Sequence, residues 1–346
     1  MNSNDLNIAI VGATGAAGGT AVKLLLERDH PAEKIRVMAS ERSAGRKIPY
    51  GKAELTVIRA IPEAFDGIDA ALFAAGGLVS KRLAHKAVER GVFVIDKGSI
   101  FRMDPNIPLV VPEVNSDDIE WHPGIVSTPN CSTTPLVMVL DALRKLSPVK
   151  AVTVATYQST TGTGVAANEE LIEQSRAVLT GGEAIPNVYP HIIAFNVIPQ
   201  VDDFLENGYT KEEQKMLNES RKILHDDHLP ISATCVRVPV EISHSESVQI
   251  EFESSVSVED AFRVLDDYDG VRVVDDPGQN QYPMPLEATG KDDVLVGRIR
   301  KDIAHDHGLV LWLSCDNLRK GAALNALQIM DEALRRDAFR PAAQRN

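Results

Sequence analysis

Asn7-Ile-Ala-Ile-Val11-Gly12-Ala-Thr-Gly15-Ala-Ala-Gly18 is a short apolar run that breaks into three glycines spaced three apart. Ala16–Arg28 follows with Val22, Leu25 and Leu26 on one face of a helical pattern. Strand, glycines, then helix is the context that a dinucleotide turn requires. Glycines let the backbone approach a pyrophosphate, and the helix N-terminus offers free N–H donors and partial positive charge. The spacing is GxxGxxG rather than GxGxxG, so a tight turn without a ligand is the competing reading. Working outward, Ile35–Ala39, Leu55–Ile58, Ala70–Ala74, Val92–Asp96 and Gly124–Ser127 read as further strands, and Ser80–Arg90 as a helix. Apolar strands separated by amphipathic helices predict a doubly wound, Rossmann-type parallel sheet with its ligand crevice beyond the strands' carboxyl ends. The turn after the second strand, Ser40-Glu41-Arg42-Ser43, holds both an acid suited to a ribose hydroxyl and an arginine suited to a 2′-phosphate. Arg42 and its flanking serines tilt the expectation toward NADP.

Beyond Ser127 the pattern changes. Ala151–Tyr157 reads as a strand running into Gly162-Thr-Gly164, and a helix follows over Ala166–Leu179. Lys211–Leu224 is a charged helix. Strands are expected at Ala233–Val240, Val248–Glu253, Val294–Arg300 and Val310–Ser314, with a helix at Val258–Asp266. Denser strand content predicts an α+β second domain with a mixed sheet. The expected division is 1–128 for the nucleotide domain and 129–316 for the second, with a final helix, Asn317–Arg336, rejoining the first. Asp337–Asn346 reads as a frayed tail.

Composition narrows the function. The 346 residues are 44% hydrophobic and 25% charged, enough to build two cores without disulfide staples. A net charge of −13 repels phosphate backbones and argues against nucleic-acid binding. The longest nearly apolar stretch, around 70–79, is too short to span a bilayer, and polar Asn2–Asp5 shows no signal peptide. Cys131, Cys235 and Cys315 are scattered and make neither a disulfide framework nor a CxxC metal knuckle. A cytoplasmic enzyme without a metal is the expectation.

Pro129-Asn130-Cys131-Ser132-Thr133 carries the sharpest chemistry. The thiol sits where a strand gives way to a helix, with Thr134 as the expected cap and Pro135 in the first turn. The positive end of a helix favours thiolate and hence a nucleophile. A buried structural cysteine is the alternative, and it suits Cys235 and Cys315, which lie inside apolar runs. A thiol nucleophile needs a partner for its proton. His30, His85 and His122 read as solvated, and His225-Asp-Asp-His228 and His305-Asp-His307 as exposed charge rather than metal sites. His244-Ser-Glu-Ser247 falls in a connection between two strands of the second domain, where a ring can be held toward a cleft.

Together these segments resemble aspartate-semialdehyde dehydrogenase from Gly12 to about Leu327. Val11–Gly15 and Ser40–Gly45 match, as do Phe101-Arg-Met-Asp104, Leu109-Val-Val-Pro-Glu-Val-Asn115 and Pro129–Thr133. Gly208-Tyr-Thr-Lys-Glu-Glu213, Ser232–Pro239, His244–Ser247 and Asp316-Asn-Leu-Arg-Lys-Gly-Ala322 follow in order. The resemblance implies reductive dephosphorylation of L-aspartyl 4-phosphate to L-aspartate 4-semialdehyde by NADPH, on the route to lysine or diaminopimelate, threonine and methionine. It implies that Cys131 attacks the acyl phosphate and carries a thioester, which hydride takes through a thiohemiacetal to the aldehyde. His244 then accepts the thiol proton or serves the thiohemiacetal oxygen, and Gln158 orients the substrate. The same resemblance gives Arg237 to the α-carboxylate, Glu212 to the α-ammonium, and Arg102 and Lys215 to the phosphate, with Asn130 in the substrate site. Cofactor contacts are implied at Gly12, Thr14, Gly15, Ala16, Ala17, Arg42, Ser43, Thr161, Gly162 and Asn317. A homodimer or homotetramer built through the second domain is also implied.

The chain departs from the family at three places. Asp96-Lys-Gly-Ser-Ile-Phe101 stands where the family commonly writes Asp-Asn-Ser/Thr-Ser, so Lys97 adds a cation near the expected phosphate site. Ser159-Thr-Thr-Gly-Thr-Gly164 replaces a common Ala-Val-Ser-Gly-Ala-Gly, and Pro135 follows Ser-Thr-Thr. None removes a reacting group. N-acetyl-γ-glutamyl-phosphate reductase shares the chemistry but binds an acylated amine, which Glu212 argues against. A catalytically silent nucleotide-binding relative and a thiol sensor at Cys131 are the readings from other classes.

Overall fold

The computed structural model describes residues 3–340 and 344, and by contacts the chain divides into two compact units. The first takes the described residues through Asn130 and those from Ala322 on; the second is Cys131–Gly321. In the first unit β1 (Ile8–Val11) runs through a glycine turn into α1 (Ala16–Glu27), then β2 (Ile35–Ala39). The expected strand Leu55–Ile58 is split. Val57 breaks it, leaving β4 (Ala53–Thr56) antiparallel to an unanticipated β3 (Lys47–Tyr50) and two-residue β5 (Ile58–Arg59) in the main sheet. β6 (Ala70–Phe73), α2 (Gly77–Val88), β7 (Phe93–Asp96), the single turn α3 (Pro112–Asn115) and β8 (Ile125–Ser127) complete the alternation. The main sheet is parallel throughout, in the order β5-β2-β1-β6-β7-β8. This is the doubly wound order, and its direction reverses beside β1, where a ligand crevice opens. The period-2 alternation of β1 sorts its residues: Ile8 and Ile10 enter one core with Leu24 and Leu25 of α1, while Ala9 and Val11 enter another with Leu83 and Ala84 of α2.

The second unit begins with α4 (Thr133–Arg144), whose residues through Leu143 are all buried. β9 (Val149–Gln158), α5 (Val165–Leu179), α6 (Lys211–Leu224), β10 (Ile231–Arg237) and β11 (His244–Phe252) follow. Then come α7 (Val258–Asp266), β12 (Val271–Val273), α8 (Pro285–Ala288), β13 (Val294–Lys301) and β14 (Gly308–Cys315). Their sheet, β10-β9-β11-β14-β13-β12, pairs parallel at its two ends and antiparallel between, so the expected mixed sheet is present. Helix α6 starts with a capping box in which Thr210 and Glu213 each bond the other's backbone amide.

The last helix differs from its expected form. A π-helical turn, Arg319–Ala323, precedes α9 (Leu324–Arg335), so Asn317 stands ahead of the helix instead of opening it. Helix α9 returns to the first unit, with Ile329 and Met330 in the same core as α1. The frayed tail is also corrected. Ala338 is fully buried and its carbonyl meets His122 Nε2 at 2.6 Å, while Phe339 packs on Phe93. Residues 341–343 and 345–346 of that expected tail lie outside the described residues. His122 and His30 are therefore not solvated as expected. Both are buried, and His30 Nε2 pairs with the Leu6 carbonyl, with burial lowering its affinity for a proton.

Candidate active site

The register of the mixed sheet assembles a row of side chains that are far apart in sequence. Arg237 of β10 pairs with Gln158 of β9. Tyr157 pairs with Ser245, so the antiparallel ladder carries Gln158 opposite His244, and His244 pairs with Cys315 of β14. Cross-strand partners share a face, so Arg237, Gln158, His244 and Cys315 form one row at the carboxyl end of β9 and β10. All four are buried. His244 is thus the first residue of β11, which starts four residues before the expected strand, and not part of a free connection.

Cys131 reaches this row from the segment before α4. The helix begins at Thr133 with Ser132 as its N-cap, so Thr134 lies inside the first turn and does not cap it. The Ser132 side chain makes no cap hydrogen bond, and the helix dipole favours negative charge beside this end. Cys131 Sγ stands 3.2 Å from His244 Nε2. Gly321 backs the thiol closely: a Cβ there would lie 2.9 Å from that of Cys131. The other cysteines are buried in strands, and burial pushes both thiols upward, away from thiolate.

The loop after β9 locks the row. Ser159 donates its amide to His244 Nδ1 at 3.0 Å and takes Arg237 Nη1 on its carbonyl at 2.5 Å. Asn317 ties this loop down, its Oδ1 accepting from Ser243 N at 2.8 Å and Ser159 Oγ at 3.2 Å, and its Nδ2 donating to Thr161 Oγ1 at 3.2 Å. Gly162 leaves space for both functional groups. A Cβ would sit 2.9 Å from Arg237 Nη1 and 3.1 Å from His244 Nε2.

Charge is graded along α6. Glu212 is buried, accepts from Gln158 Nε2 at 3.4 Å, and holds Lys215 Nζ at 3.1 Å. Asp202 takes the same ammonium at 2.7 Å. Burial opposes the Lys215 charge, but Glu212 and Asp202 outweigh it and raise its proton affinity above the lysine norm. The Glu212–Lys215 pair is therefore largely buried and not the plain surface pair its helical spacing also allows. Asp202, Ser159 and Tyr189, whose ring lies 5.8 Å from the Arg237 guanidinium, join the site without having been singled out from sequence. They lie in loops, where spacing carries no signal.

In the first unit a cleft of about 320 Å³ lies at the β1–α1 turn, lined by Gly12, Thr14 and Gly15 with Ser40 of the next turn and Arg82 of α2. Gly12 has φ +92°, and a Cβ on it would lie 2.8 Å from the Ala74 backbone. Gly15 caps α1, so the first-turn residues Ala16 and Ala17 face no capping side chain. Bare backbone at a helix N-terminus fits a pyrophosphate. Arg42 is exposed in the 3-10 turn Glu41–Ser43, and Ser43 is buried there. Also in this unit, Arg102 Nη2 donates to the Lys97 carbonyl at 2.7 Å. Asp96 beside it takes Ser80 Oγ at 2.5 Å, and burial raises its carboxyl above the usual range. Asn130, which is buried, ends the first of the unit's two segments.

Residues 7–122 match the model of the semialdehyde dehydrogenase NAD binding domain, and 140–320 that of the semialdehyde dehydrogenase dimerisation domain. The chain is 48% identical over 334 residues to aspartate-semialdehyde dehydrogenase of Bacillus subtilis, covering 94% of this chain and 96% of the relative. The chain belongs to the aspartate-semialdehyde dehydrogenase family. It is accordingly an oxidoreductase. Aspartate semialdehyde dehydrogenase II of Vibrio cholerae, solved complexed with ASA, superposes with TM-score 0.91 at 41% identity, covering 95% of this chain and 98% of that one. The Candida albicans enzyme, solved with NADP, gives TM-score 0.75 at 25% identity over 96% and 99% of the two chains.

The second unit also buries a carboxyl group without a hydrogen bond. Glu246 lies one pleat below His244 on the same sheet face, opposite Thr156 and Leu313. It is fully buried, neither carboxyl oxygen is hydrogen-bonded, and burial pushes its proton affinity well above that of a normal glutamate. Among the described residues no group of three or more histidines, cysteines and carboxylates is gathered for a metal, and no helix is long and apolar enough to cross a membrane.

Proposed function

We propose that the chain converts L-aspartyl 4-phosphate to L-aspartate 4-semialdehyde and phosphate with NADPH, in the biosynthesis of lysine or diaminopimelate, threonine and methionine. The observation that carries this reading is the 3.2 Å approach of Cys131 Sγ to His244 Nε2 beside the Arg237–Gln158 pair. Cys131 attacks the acyl carbon and expels phosphate, leaving a thioester; covalent capture splits one hard displacement into two easier steps. Bound NADPH supplies the hydride that brings the acyl group to the aldehyde level. Cys131 holds the acyl carbon through that change, and His244 accepts the thiol proton or serves the thiohemiacetal oxygen.

The remaining roles follow from charge. Arg237 offers a planar fork to the α-carboxylate, and its anchor on the Ser159 carbonyl fixes the fork's direction. Glu212 suits the α-ammonium, and Gln158, bonded to it, orients the substrate between the two. Lys215 carries the positive charge for phosphate in the second unit. Arg102 and Asn130 keep, as proposals, the phosphate and substrate roles that the family implies. The glycine turn, with Ala16 and Ala17, suits the pyrophosphate of NADP. Arg42 and Ser43 are proposed for its 2′-phosphate, and Thr161, Gly162 and Asn317 for contacts near the nicotinamide. We place the enzyme in the cytoplasm as a homodimer that meets through its second unit.

N-acetyl-γ-glutamyl phosphate, with the same reactive group, is the competing substrate. Glu212 disfavours it, because an acylated amine has no charge to offset a buried carboxylate. Phosphate-dependent NADP⁺ reduction with L-aspartate 4-semialdehyde and with N-acetyl-L-glutamate 5-semialdehyde, compared by kcat/KM, separates them. Preference for the former is expected; preference for the acetylated aldehyde overturns the assignment.

A further inference from the structure

Arg237 is buried, and its donors are unequally used. Nη1 donates to the Ser159 carbonyl at 2.5 Å and sits where Gly162 leaves room for it. Nε is buried without a partner, and among the described residues Nη2 makes no hydrogen bond either. Those two nitrogens share one edge of the guanidinium, an edge that meets a carboxylate through two parallel bonds. A buried cationic donor without an acceptor is costly, and a ligand carboxylate on this edge recovers the cost. Tyr189 sets its ring 5.8 Å from the guanidinium carbon. A ring against the flat face leaves every in-plane donor free.

Tyr189 lies in a stretch without regular secondary structure, yet buried side chains of α5 hold its backbone in place. Glu170 accepts from the amides of Asn187 at 3.0 Å, of Val188, and of Tyr189 at 3.4 Å. Gln174, one turn on, donates to Glu170 Oε1 at 3.0 Å. Its own Oε1 accepts from the amides of Ile193 at 2.9 Å and Ala194 at 3.2 Å. The Tyr189 hydroxyl closes the arrangement on Thr163 Oγ1 at 3.0 Å, in the same loop as Ser159. The guanidinium is therefore held on its face by the stretch that α5 fixes and at its Nη1 end by the loop after β9.

We propose that Tyr189 is a positioning residue for substrate selection: its ring and the Ser159 carbonyl together aim the Nε–Nη2 edge of Arg237 at the substrate α-carboxylate. This deepens the proposed function and rests on Arg237 as the carboxylate ligand. Tyr189 acts through Arg237 and touches no reacting atom. The bonds that change lie at the other end of the substrate, so the carboxylate is held alike in the ground and transition states. Loss of the ring therefore raises KM and leaves kcat nearly unchanged. The ring face carries the effect, and the hydroxyl serves only to hold the ring to the loop.

The test is phosphate-dependent NADP⁺ reduction with L-aspartate 4-semialdehyde by the full-length enzyme, run as a double-mutant cycle of Tyr189→Leu and Arg237→Lys. Tyr189→Leu is expected to raise KM for the semialdehyde roughly tenfold, with kcat within about twofold of wild type. Tyr189→Phe returns the ring and is expected to bring KM back to within about twofold of wild type. In the Arg237→Lys background the leucine change is expected to cost less than about threefold, because no fork remains to be aimed. Tyr189→Gln, which also lacks the ring, carries the same cycle should the leucine variant fail to fold. An unchanged KM in Tyr189→Leu, an equal loss in Tyr189→Phe, or the full loss persisting beside Arg237→Lys overturns the proposal. No turnover by the wild type defeats the functional reading, and the positioning role with it. Wild-type turnover with additive losses in the cycle defeats the positioning role alone.

Discussion

The β1–α1 turn of the first unit and the Arg237–Gln158–His244 row of the second prepare for ligands by opposite routes. The turn is contiguous. Gly12, Thr14 and Gly15 line the cleft from within four residues, and its close approach depends on the bare backbone of the glycines. The row spans Gln158 to His244 and exists only through the register of three strands, with Cys131 added from a helix start. A turn of this kind is sensitive to any added atom. A row tolerates change in one strand only while the ladder keeps its pairing, because a slip of one residue turns every side chain to the other face.

The contrast can be broken most severely in the turn. Gly12→Ala places a side chain at φ +92° and 2.8 Å from the Ala74 backbone, which cannot yield. Backbone strain alone costs about 1–3 kcal/mol, and the clash adds to it. A fall in urea midpoint together with loss of NADP binding is expected; wild-type stability with wild-type affinity would mean that the turn is not close-packed. In the row, Arg237→Lys keeps charge and loses the fork. The expected cost is roughly 1.5–3 kcal/mol, read as a fall of roughly 10- to 150-fold in kcat/KM for the semialdehyde with circular dichroism unchanged.

Gly162→Ala sharpens the comparison, because here an added methyl meets side chains and not backbone. With no positive φ to oppose it, the variant should fold normally, while the Cβ crowds Arg237 Nη1 and His244 Nε2. Roughly tenfold lower kcat is expected with an unchanged unfolding curve. The smallest effect is at Glu246. Its folded-state proton affinity is raised by burial, so over a window above the ordinary glutamate range the native state keeps a proton that the unfolded chain has released. Stability contributed by this group is therefore full below the ordinary glutamate range and declines as pH rises through and above it. Glu246→Gln should remove that decline, stabilising the fold by on the order of 1 kcal/mol at pH 8 and by less at pH 5 in urea unfolding. An equal gain at both pH values would mean that the carboxyl does not titrate between the two states.

Both kinds of region left traces in the sequence, but unequal ones. The alternating pattern was enough for the parallel sheet, because buried strands and amphipathic helices announce themselves by period. Short elements escaped it: β5 has two residues, and β3 pairs only with its neighbour in a polar hairpin. The start of β11 was missed because His244-Ser-Glu-Ser247 reads as polar, although all but Ser247 of that stretch are buried. Tertiary burial, which sequence polarity hides, put those residues in a strand. Cys131 stood out through its polar neighbours and helix start. His244 and Arg237 became specific only through family resemblance, since nothing local says that two strands will set them in one row. The clamp by Ser159 and the pairing of Asp202 with Lys215 come from loop backbone that no periodicity encodes.

The central claim is that the sulfur of Cys131 carries the acyl group. It is tested most directly by phosphate-dependent NADP⁺ reduction with L-aspartate 4-semialdehyde, run on the wild type and Cys131→Ser with folding checked by circular dichroism. Turnover in the wild type and a loss of roughly four orders of magnitude or more in the variant is the predicted result. Equal turnover in the two would contradict the covalent route and remove Cys131 from the chemistry.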